Sequence, residues 1–249
     1  QVPVNEQTEP ELPQGVNRES DPTYDMTTDG SGAVTEATIN GAIWETLPST
    51  EPTGSGVFYA FLRIQASPTE RGYNTDGRPL QFDEKGGKFT HSYHLNDVPQ
   101  VKIGGAIYRE FQLDVNEATS TPYISLDQFQ VWTTDNPNLL GYTEGTPSDS
   151  FAASTAKLVY NLNGDGNTWI KMDYRWNTGS GKRDYRVLVP ESAFEGKMLE
   201  YVVIFSRHGD NNASDSGFEE WGVEVYPATK SGYKFNDINA DGVWDPNGI

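Results

Sequence analysis

Oxygen-bearing side chains recur at alternate positions in the last thirteen residues of the chain, DINADGVWDPNGI. A calcium loop takes side-chain oxygens at its first, third, fifth and ninth positions, a backbone carbonyl at its seventh, and glycine (here Gly242) at its sixth for the sharp turn. This spacing predicts Ca2+ ligands at Asp237, Asn239, Asp241, Asp245 and the backbone carbonyl of Val243. The twelfth position, usually acidic, is Gly248. The alternative is a solvated turn rich in Asn and Asp.

Two internal segments carry weaker candidate sites for Ca2+. The segment GYNTDGRPLQFDE supplies Asn74, Asp76, Asp83 and Glu84. The segment NLNGDGNTW supplies Asn161, Asn163 and Asp165, with Asn167 continuing the alternation and Gly166 at the sixth place. A tight hairpin turn is the alternative for the second segment, because it carries a single carboxylate. In LDVNE, Asp114 and Asn116 share one face of a strand that ends beside Glu117, and they could add ligands to such a site.

Catalytic signatures are missing from the sequence. It contains no HExxH, no GxSxG and no cysteine. Glu219 and Glu220 are adjacent, so on a strand they point to opposite faces and cannot act together on one bond. The sequence therefore predicts that this chain is not an enzyme.

Aromatic residues suggest a second kind of site, because flat rings stack on the apolar faces of sugars. The candidates for glycan stacking are Trp132, Trp176 and Trp221. The alternative is that these rings belong to the core of a β-sandwich.

Charge and composition restrict the partners and the location. The chain has 249 residues, a net charge of −18 and no cysteine. Nucleic acid and anionic membranes are poor partners for so acidic a chain, whereas a divalent cation is a natural counter-charge. No apolar run is long enough to span a bilayer, so no direct membrane insertion is expected. Because the sequence begins at Gln1, we expect a removed leader or a start within a precursor, with an extracellular or cell-surface location.

Hydrophobic patterning divides the chain into three parts. Residues 1–35 are acidic and proline-rich and predict an extended or disordered arm. Residues 36–227 predict an all-β domain, a two-sheet β-sandwich of jelly-roll type. Residues 228–249 form a link and the calcium loop. The predicted strands are 38–46, 57–66 (as a central strand), 106–115, 123–133, 157–162, 168–176, 184–190, 200–208 and 217–226, with a single helical turn at 191–196. The segment 67–96 is expected to be a long loop that is functional or is held in place by a ligand.

Two stretches resemble known proteins. The C-terminal FNDINADGVWDPNG resembles the dockerin-like or EF-hand-like calcium repeats of bacterial surface proteins. The phrases GYNTDGRPLQFDE, YREFQLDVNE and GFEEWGVEV, within residues 55–226, resemble uncharacterised secreted bacterial proteins that carry cell-surface sorting signals. The resemblance implies an extracellular location and assigns no activity.

Three functional hypotheses follow from the sequence. The first is an extracellular structural or adhesive calcium-binding protein that self-associates through its N-terminal arm and a sheet edge, as a subunit of a filament or layer. The second is a carbohydrate-binding module that takes a polysaccharide. The third, an enzyme on the same scaffold, lacks a paired acid and base.

Overall fold

A computed structural model describes residues 23–28, 30–48, 57–145, 149–215 and 217–225. In these ranges the protein is all-β, with two seven-stranded sheets. The helical segments described are 3-10 turns at Gly87–Phe89, Leu95–Asp97, Tyr174–Trp176 and Glu191–Phe194. The predicted all-β fold with two sheets is confirmed, and the helical turn expected at 191–196 is a 3-10 turn.

The first sheet has the order β1-β11-β9-β13-β5, with β10 beside β9 and β6 beside β13. Its strands are β1 (Thr23–Asp25), β5 (Glu70–Tyr73), β6 (Tyr93–His94), β9 (Tyr123–Thr134), β10 (Lys157–Asn161), β11 (Trp169–Asp173) and β13 (Tyr201–His208).

The second sheet has the order β2-β3-β12-β8-β14-β4, with β7 beside β8. Its strands are β2 (Glu36–Ile39), β3 (Ala42–Thr46), β4 (Phe58–Ile64), β7 (Gln100–Ile103), β8 (Ala106–Asp114), β12 (Tyr185–Pro190) and β14 (Glu219–Glu224). The strand predicted over 57–66 as central is β4, which lies at the end of this order.

Aromatic side chains from both sheets meet in the core. Trp44 of the second sheet packs edge-on against Phe129 of the first, with ring centroids 5.1 Å apart. Trp221 lies 4.5 Å from the same Phe129 ring. A smaller cluster on the opposite face of the first sheet includes Trp132 and Phe205, so β9 and β13 are buried on both faces. This double burial explains why both strands are apolar with little alternation.

Two tight hairpins connect neighbouring strands of the second sheet, and the first of them divides a segment that was predicted as one strand. Asn40 and Gly41 connect β2 to β3 with positive φ angles of 48° and 86°. Gly104 and Gly105 connect β7 to β8 in the same way, with φ angles of 56° and 92°. Asn-Gly and Gly-Gly are the pairs that two-residue hairpin loops favour, because both central residues take positive φ. The prediction of one strand over 38–46 is therefore wrong.

Residues 67–96 are held by the protein itself. β5 pairs with β13 inside this segment, and Tyr73 lies opposite Phe205. The expected long loop therefore contains two unpredicted strands of the first sheet, β5 and β6.

The N-terminal segment forms an edge strand of the first sheet. β1 pairs in parallel with β11, in a register that places Tyr24 opposite Ile170. Met26, directly after β1, is 1 % exposed and belongs to the main core. Its carbonyl accepts hydrogen bonds from Trp176 Nε1 at 2.9 Å and from the Tyr185 hydroxyl at 3.2 Å. The described end of the predicted arm is thus docked on its own domain.

Candidate functional site

The C-terminal calcium loop lies outside the described residues, as do all five of its predicted ligands, Asp237, Asn239, Asp241, Val243 and Asp245. Its assignment as a Ca2+ site therefore stays a prediction.

The side chains of the second candidate metal site, Asn74, Asp76, Asp83 and Glu84, each form hydrogen bonds with different partners. The hydrogen-bond partners are Val202 and Ile204 for Asn74, Ser92 for Asp76, Arg71 for Asp83, and Tyr73 and Phe82 for Glu84. These bonds connect the segment 71–92 to itself and to β13. In this structure the four side chains fasten the segment rather than face a common point.

The third candidate set lies on a loop that leaves the sheet and returns to it. β10 and β11 both pair with the same side of β9, β10 opposite Gln130–Thr133 and β11 opposite Tyr123–Leu126. The two strands therefore lie end to end, and the tight hairpin considered for this segment is wrong. The Asn161 side chain accepts from the Asn163 backbone N–H at 3.1 Å, and Asp165 is exposed.

The three tryptophans considered for glycan stacking are buried. Trp132, Trp176 and Trp221 are 4 %, 8 % and 0 % exposed. Each indole N–H has an internal acceptor: Gln130 for Trp132, the Met26 carbonyl for Trp176 and Ser206 for Trp221. The core interpretation is therefore correct, and these rings form no sugar platform.

A different group of acidic residues comes together at one end of the sandwich. We call Glu70, Glu117, Asp215 and Glu219 the acidic pole. Glu70 begins β5 in the first sheet and Glu219 begins β14 in the second, while Glu117 follows β8 and Asp215 lies in the connection before β14. Glu70, Glu117 and Glu219 are 1 %, 5 % and 0 % exposed. The acidic pole thus joins both sheets and two connections.

Close packing of the two connections positions this pole. The Glu117 side chain accepts from the Asp215 backbone N–H at 2.9 Å, and the Asp215 side chain accepts from the Ala118 N–H at 2.6 Å. A Cβ atom at Gly217 would lie 1.4 Å from the Asn116 carbonyl oxygen. Glycine is therefore required there, because any side chain would separate the two connections.

Each of the three buried glutamates has one oxygen held and one oxygen without a partner. Backbone N–H groups of Ala66, Asp215 and Asn116 donate to Glu70 Oε2, Glu117 Oε2 and Glu219 Oε1 at 2.9, 2.9 and 3.4 Å. Among the described residues, no hydrogen-bond donor reaches the buried Glu70 Oε1, Glu117 Oε1 or Glu219 Oε2.

Burial and mutual repulsion raise the pKa values of this group. Burial raises the pKa of Glu70, and it raises the pKa of Glu117 to about 8, with Asp215 and Glu70 adding to the latter. Burial and the neighbouring Glu70 carboxyl raise the pKa of Glu219 well above its ordinary value. Buried carboxylates in such proximity must be neutralised by protons or by a cation. Among the described residues, no group of three or more His, Cys, Asp or Glu side chains is arranged so that it could hold a metal ion.

Other buried aspartates in the same domain have both oxygens satisfied. Asp184 accepts from the backbone N–H groups of Val115 at 2.8 Å and Asn177 at 2.9 Å. Asp114 accepts from Gly181 and Lys182. Asn116 Nδ2 also donates to Asp114 at 3.1 Å, so this pair from LDVNE bonds internally. The carboxylates of Asp114 and Asp184 are thus fully hydrogen-bonded, unlike those of the acidic pole.

Sequence reasoning identified part of this pole without assembling it. Glu117 was named at the end of the LDVNE strand without a role of its own, and Glu219 was considered and rejected as half of a catalytic pair. The expected separation of Glu219 from Glu220 is confirmed, since Glu220 pairs with Arg63 at 2.7 Å while Glu219 bonds Asn116. Glu70 was missed, because it begins a strand within a segment that was predicted to be a loop.

Exposed aromatic rings lie beside a cleft on another part of the surface. Tyr59 is 46 % exposed, and its ring centroid lies 5.5 Å from that of His91 and 5.8 Å from that of Tyr93. Tyr93 also lines a cleft of about 580 Å³ together with Asp97 and Arg109. These rings, rather than the tryptophans, are the aromatic groups that solvent can reach here.

Comparisons with known proteins add no assignment. Neither the family models nor the curated proteins nor the solved structures gave a match to this chain. Within the described ranges, no helix is both long and apolar enough to cross a membrane.

Proposed function

We propose that this chain is an extracellular structural or adhesive calcium-binding protein that self-associates through its N-terminal segment and a sheet edge. The observation that carries the proposal is the docking of β1 on the edge of the first sheet. No hairpin connects β1 to its neighbour β11, so the pairing does not depend on a short covalent link. The edge of β11 can therefore accept the same segment from another copy.

Side-chain contacts give this edge specificity for its own N-terminal segment. Met26 fills a core position, and its carbonyl accepts from Trp176 and Tyr185. An exchanged segment would make the same contacts in the neighbouring copy, so exchange costs little interaction energy. Repeated head-to-tail exchange does not close on itself and builds a filament.

The extracellular location and calcium binding have separate support. The net charge of −18 and the absence of cysteine suit a secreted chain that is stabilised by its core and by cations. The C-terminal loop supplies the predicted Ca2+ ligands. The strand order, in which β4, β8 and β12 lie in one sheet and their successors β5, β9 and β13 in the other, supports the jelly-roll interpretation.

Deletion and complementation test the self-association. A chain lacking residues 1–28 is expected to remain monomeric and to bind a synthetic peptide of residues 20–29, whereas the full chain assembles as its concentration rises. Analytical ultracentrifugation and electron microscopy in Ca2+ and in EGTA measure assembly, and fluorescence anisotropy measures peptide binding. A full chain that stays monomeric in millimolar Ca2+ at high concentration would contradict the proposal.

A carbohydrate-binding module is the second candidate, favoured by the exposed ring of Tyr59 beside the cleft. A glycan array and a pull-down on insoluble polysaccharide test it. Tyr59→Ala should abolish binding, whereas Tyr123→Ala is the matched control, because Lys171 and Arg175 already cover the Tyr123 ring at 4.5 and 5.0 Å. Absence of binding by the unmodified chain would remove this candidate.

A further inference from the structure

A notch interrupts the second sheet along one side of β8. β12 pairs with the other side of β8 over residues 108–113, whereas β14 and β7 share this side. The pairing of β14 with β8 extends to Gly222, opposite Gln112, and the pairing of β7 begins at Gln100, opposite Arg109. The end of β14 and the start of β7 are therefore separated, and a gap lies between them.

The cleft of about 580 Å³ lies at this gap. Its polar lining comes from the ends of β6, β7 and β14, from β8 and from the 3-10 turn after β6, and consists of Tyr93, Asn96, Asp97, Gln100, Arg109 and Glu224. The volume falls within the range of roughly 300–1,000 Å³ that small-ligand sites occupy. The interrupted strand order thus produces a pocket of suitable size with a polar lining.

The charges of this lining disfavour an anionic ligand. Arg109 is 4 % exposed, and its guanidinium is already paired with Glu191 at 2.8 Å. Asp97 is exposed, and Glu224 is partly exposed with one oxygen 3.6 Å from Arg183. An anion in the cleft would meet two carboxylates, while the arginine of the lining is balanced by its own partner.

The aromatic ring in the lining is held in place before any ligand arrives. Tyr93 stacks on Phe61 with ring centroids 4.8 Å apart, and its hydroxyl donates to the Asp97 carbonyl at 3.2 Å. The exposed ring of Tyr59 lies 5.8 Å from that of Tyr93 and extends the aromatic surface onto β4. Because the Tyr93 ring is already ordered, a ligand that packs on it loses little affinity to side-chain ordering.

We propose that this cleft binds a neutral oligosaccharide, with Asp97 and Glu224 accepting hydrogen bonds from the hydroxyls of one sugar unit and Tyr59 supporting the next. The inference rests on the carbohydrate-binding candidate and not on self-association. It adds to that candidate the class of sugar and the residues that select it.

A neutral sugar matches the lining in its hydrogen-bonding groups. A carboxylate has two acceptor oxygens, so it can accept from two neighbouring hydroxyls. The amides of Asn96 and Gln100 both donate and accept, as a hydroxyl also does. An apolar ligand would instead remove water from these carboxylates and amides without replacing its hydrogen bonds.

A ligand amine is the rival, because carboxylates and aromatic faces also attract cations. The Arg183 guanidinium beside Glu224 already supplies positive charge at that carboxylate, which favours a neutral ligand over a second cation. Salt distinguishes the two, because screening weakens the binding of a charged ligand to an exposed site and leaves that of a neutral ligand nearly unchanged.

A glycan array that carries neutral, acidic and amino-sugar oligosaccharides tests the class of ligand. The full chain should be retained by neutral oligosaccharides and not by acidic ones. Calorimetry with cellohexaose, maltohexaose and mannohexaose then measures affinity. The affinity for the hexasaccharide that binds should change by less than about twofold when NaCl is raised from about 0.05 to about 0.5 M.

Substitutions in the cleft test the residues. Asp97→Asn and Glu224→Gln should each weaken binding about tenfold or more, because hydrogen bonds to charged groups are the strong ones. Asp165→Asn is the matched control, since Asp165 is an exposed carboxylate on the loop between β10 and β11 and does not line the cleft. Urea unfolding checks that each variant folds. If Glu224→Gln is destabilised through Arg183, the exposed Asp97 decides the test.

Two results would overturn the cleft assignment. The first is retention by acidic or amino sugars alone, or an affinity that falls steeply with salt, since either would mean a charged ligand. The second is sugar binding that Tyr59→Ala abolishes while Asp97→Asn and Glu224→Gln leave it intact, which would place the sugar on the exposed rings and keep the carbohydrate-binding candidate. Retention by no glycan would remove both that candidate and the cleft, and sedimentation of the same samples reports self-association separately.

Discussion

Replacing Met26 by alanine tests whether the N-terminal segment is part of the folded domain. The side chain is 1 % exposed and packs in the main core, so truncation leaves a cavity. Met→Ala at buried positions costs about 2–5 kcal/mol. We expect about 3 kcal/mol here, because the Met26 carbonyl keeps its bonds to Trp176 and Tyr185. In a domain of this size that loss lowers the melting temperature by about 6–12 °C.

The chain provides its own control in Met198, which is 51 % exposed. Met198→Ala should change stability by less than about 0.5 kcal/mol. Urea unfolding measures both variants, and hydrogen exchange of a peptide spanning residues 23–28 reports whether β1 is docked. If Met26→Ala matches Met198→Ala in stability, and the 23–28 amides exchange at the rate of a free peptide, the segment is not an integral strand.

Three further predictions concern charge, packing and metal. Burial raises the pKa of Asp127 to about 6 from the ordinary 3.8, so this group stabilises the fold fully below pH 3.8 and loses that contribution as pH rises through 6. Relative to Asp127→Asn, the free energy of unfolding of the unmodified protein should fall by roughly 3 kcal/mol between pH 4 and 7, at 1.36 kcal/mol per pKa unit. Urea unfolding at each pH measures this difference, and parallel pH profiles of the two proteins would contradict it. Gly217→Ala should cost about 3 kcal/mol or more because its Cβ would overlap the Asn116 carbonyl, whereas Gly86→Ala, with 3.6 Å to its nearest neighbour, should be nearly neutral in the same assay. Removing the carboxylates of Asp237 and Asp241 should lower the Ca2+ stoichiometry by one in calorimetry, and unchanged stoichiometry would refute the C-terminal site.

Local patterns in the sequence were sufficient to predict the fold class and most of the long strands. β8, β12, β13 and β14 fall within predicted runs, and β9 extends one residue beyond its run, because Val, Ile, Phe, Tyr and Trp suit pleated, half-buried surfaces. The Asn40-Gly41 and Gly104-Gly105 pairs were also readable signals for hairpins. Adjacent residues on a strand point to opposite faces, which was enough to separate Glu219 from Glu220.

Tertiary structure decided what those elements do together. The burial of Trp132, Trp176 and Trp221 depends on which faces of the sheets are covered. The sequence does not reveal this, because tryptophan occurs both in β-sandwich cores and on their surfaces. The acidic pole unites Glu70 of one sheet with Glu219 of the other and with Glu117 between them in sequence. No local pattern encodes that meeting, because it arises from long-range strand order. Spacing along the chain could therefore predict a metal site in the C-terminal loop, whereas only the packing of the two sheets could show that Glu70, Glu117 and Glu219 meet.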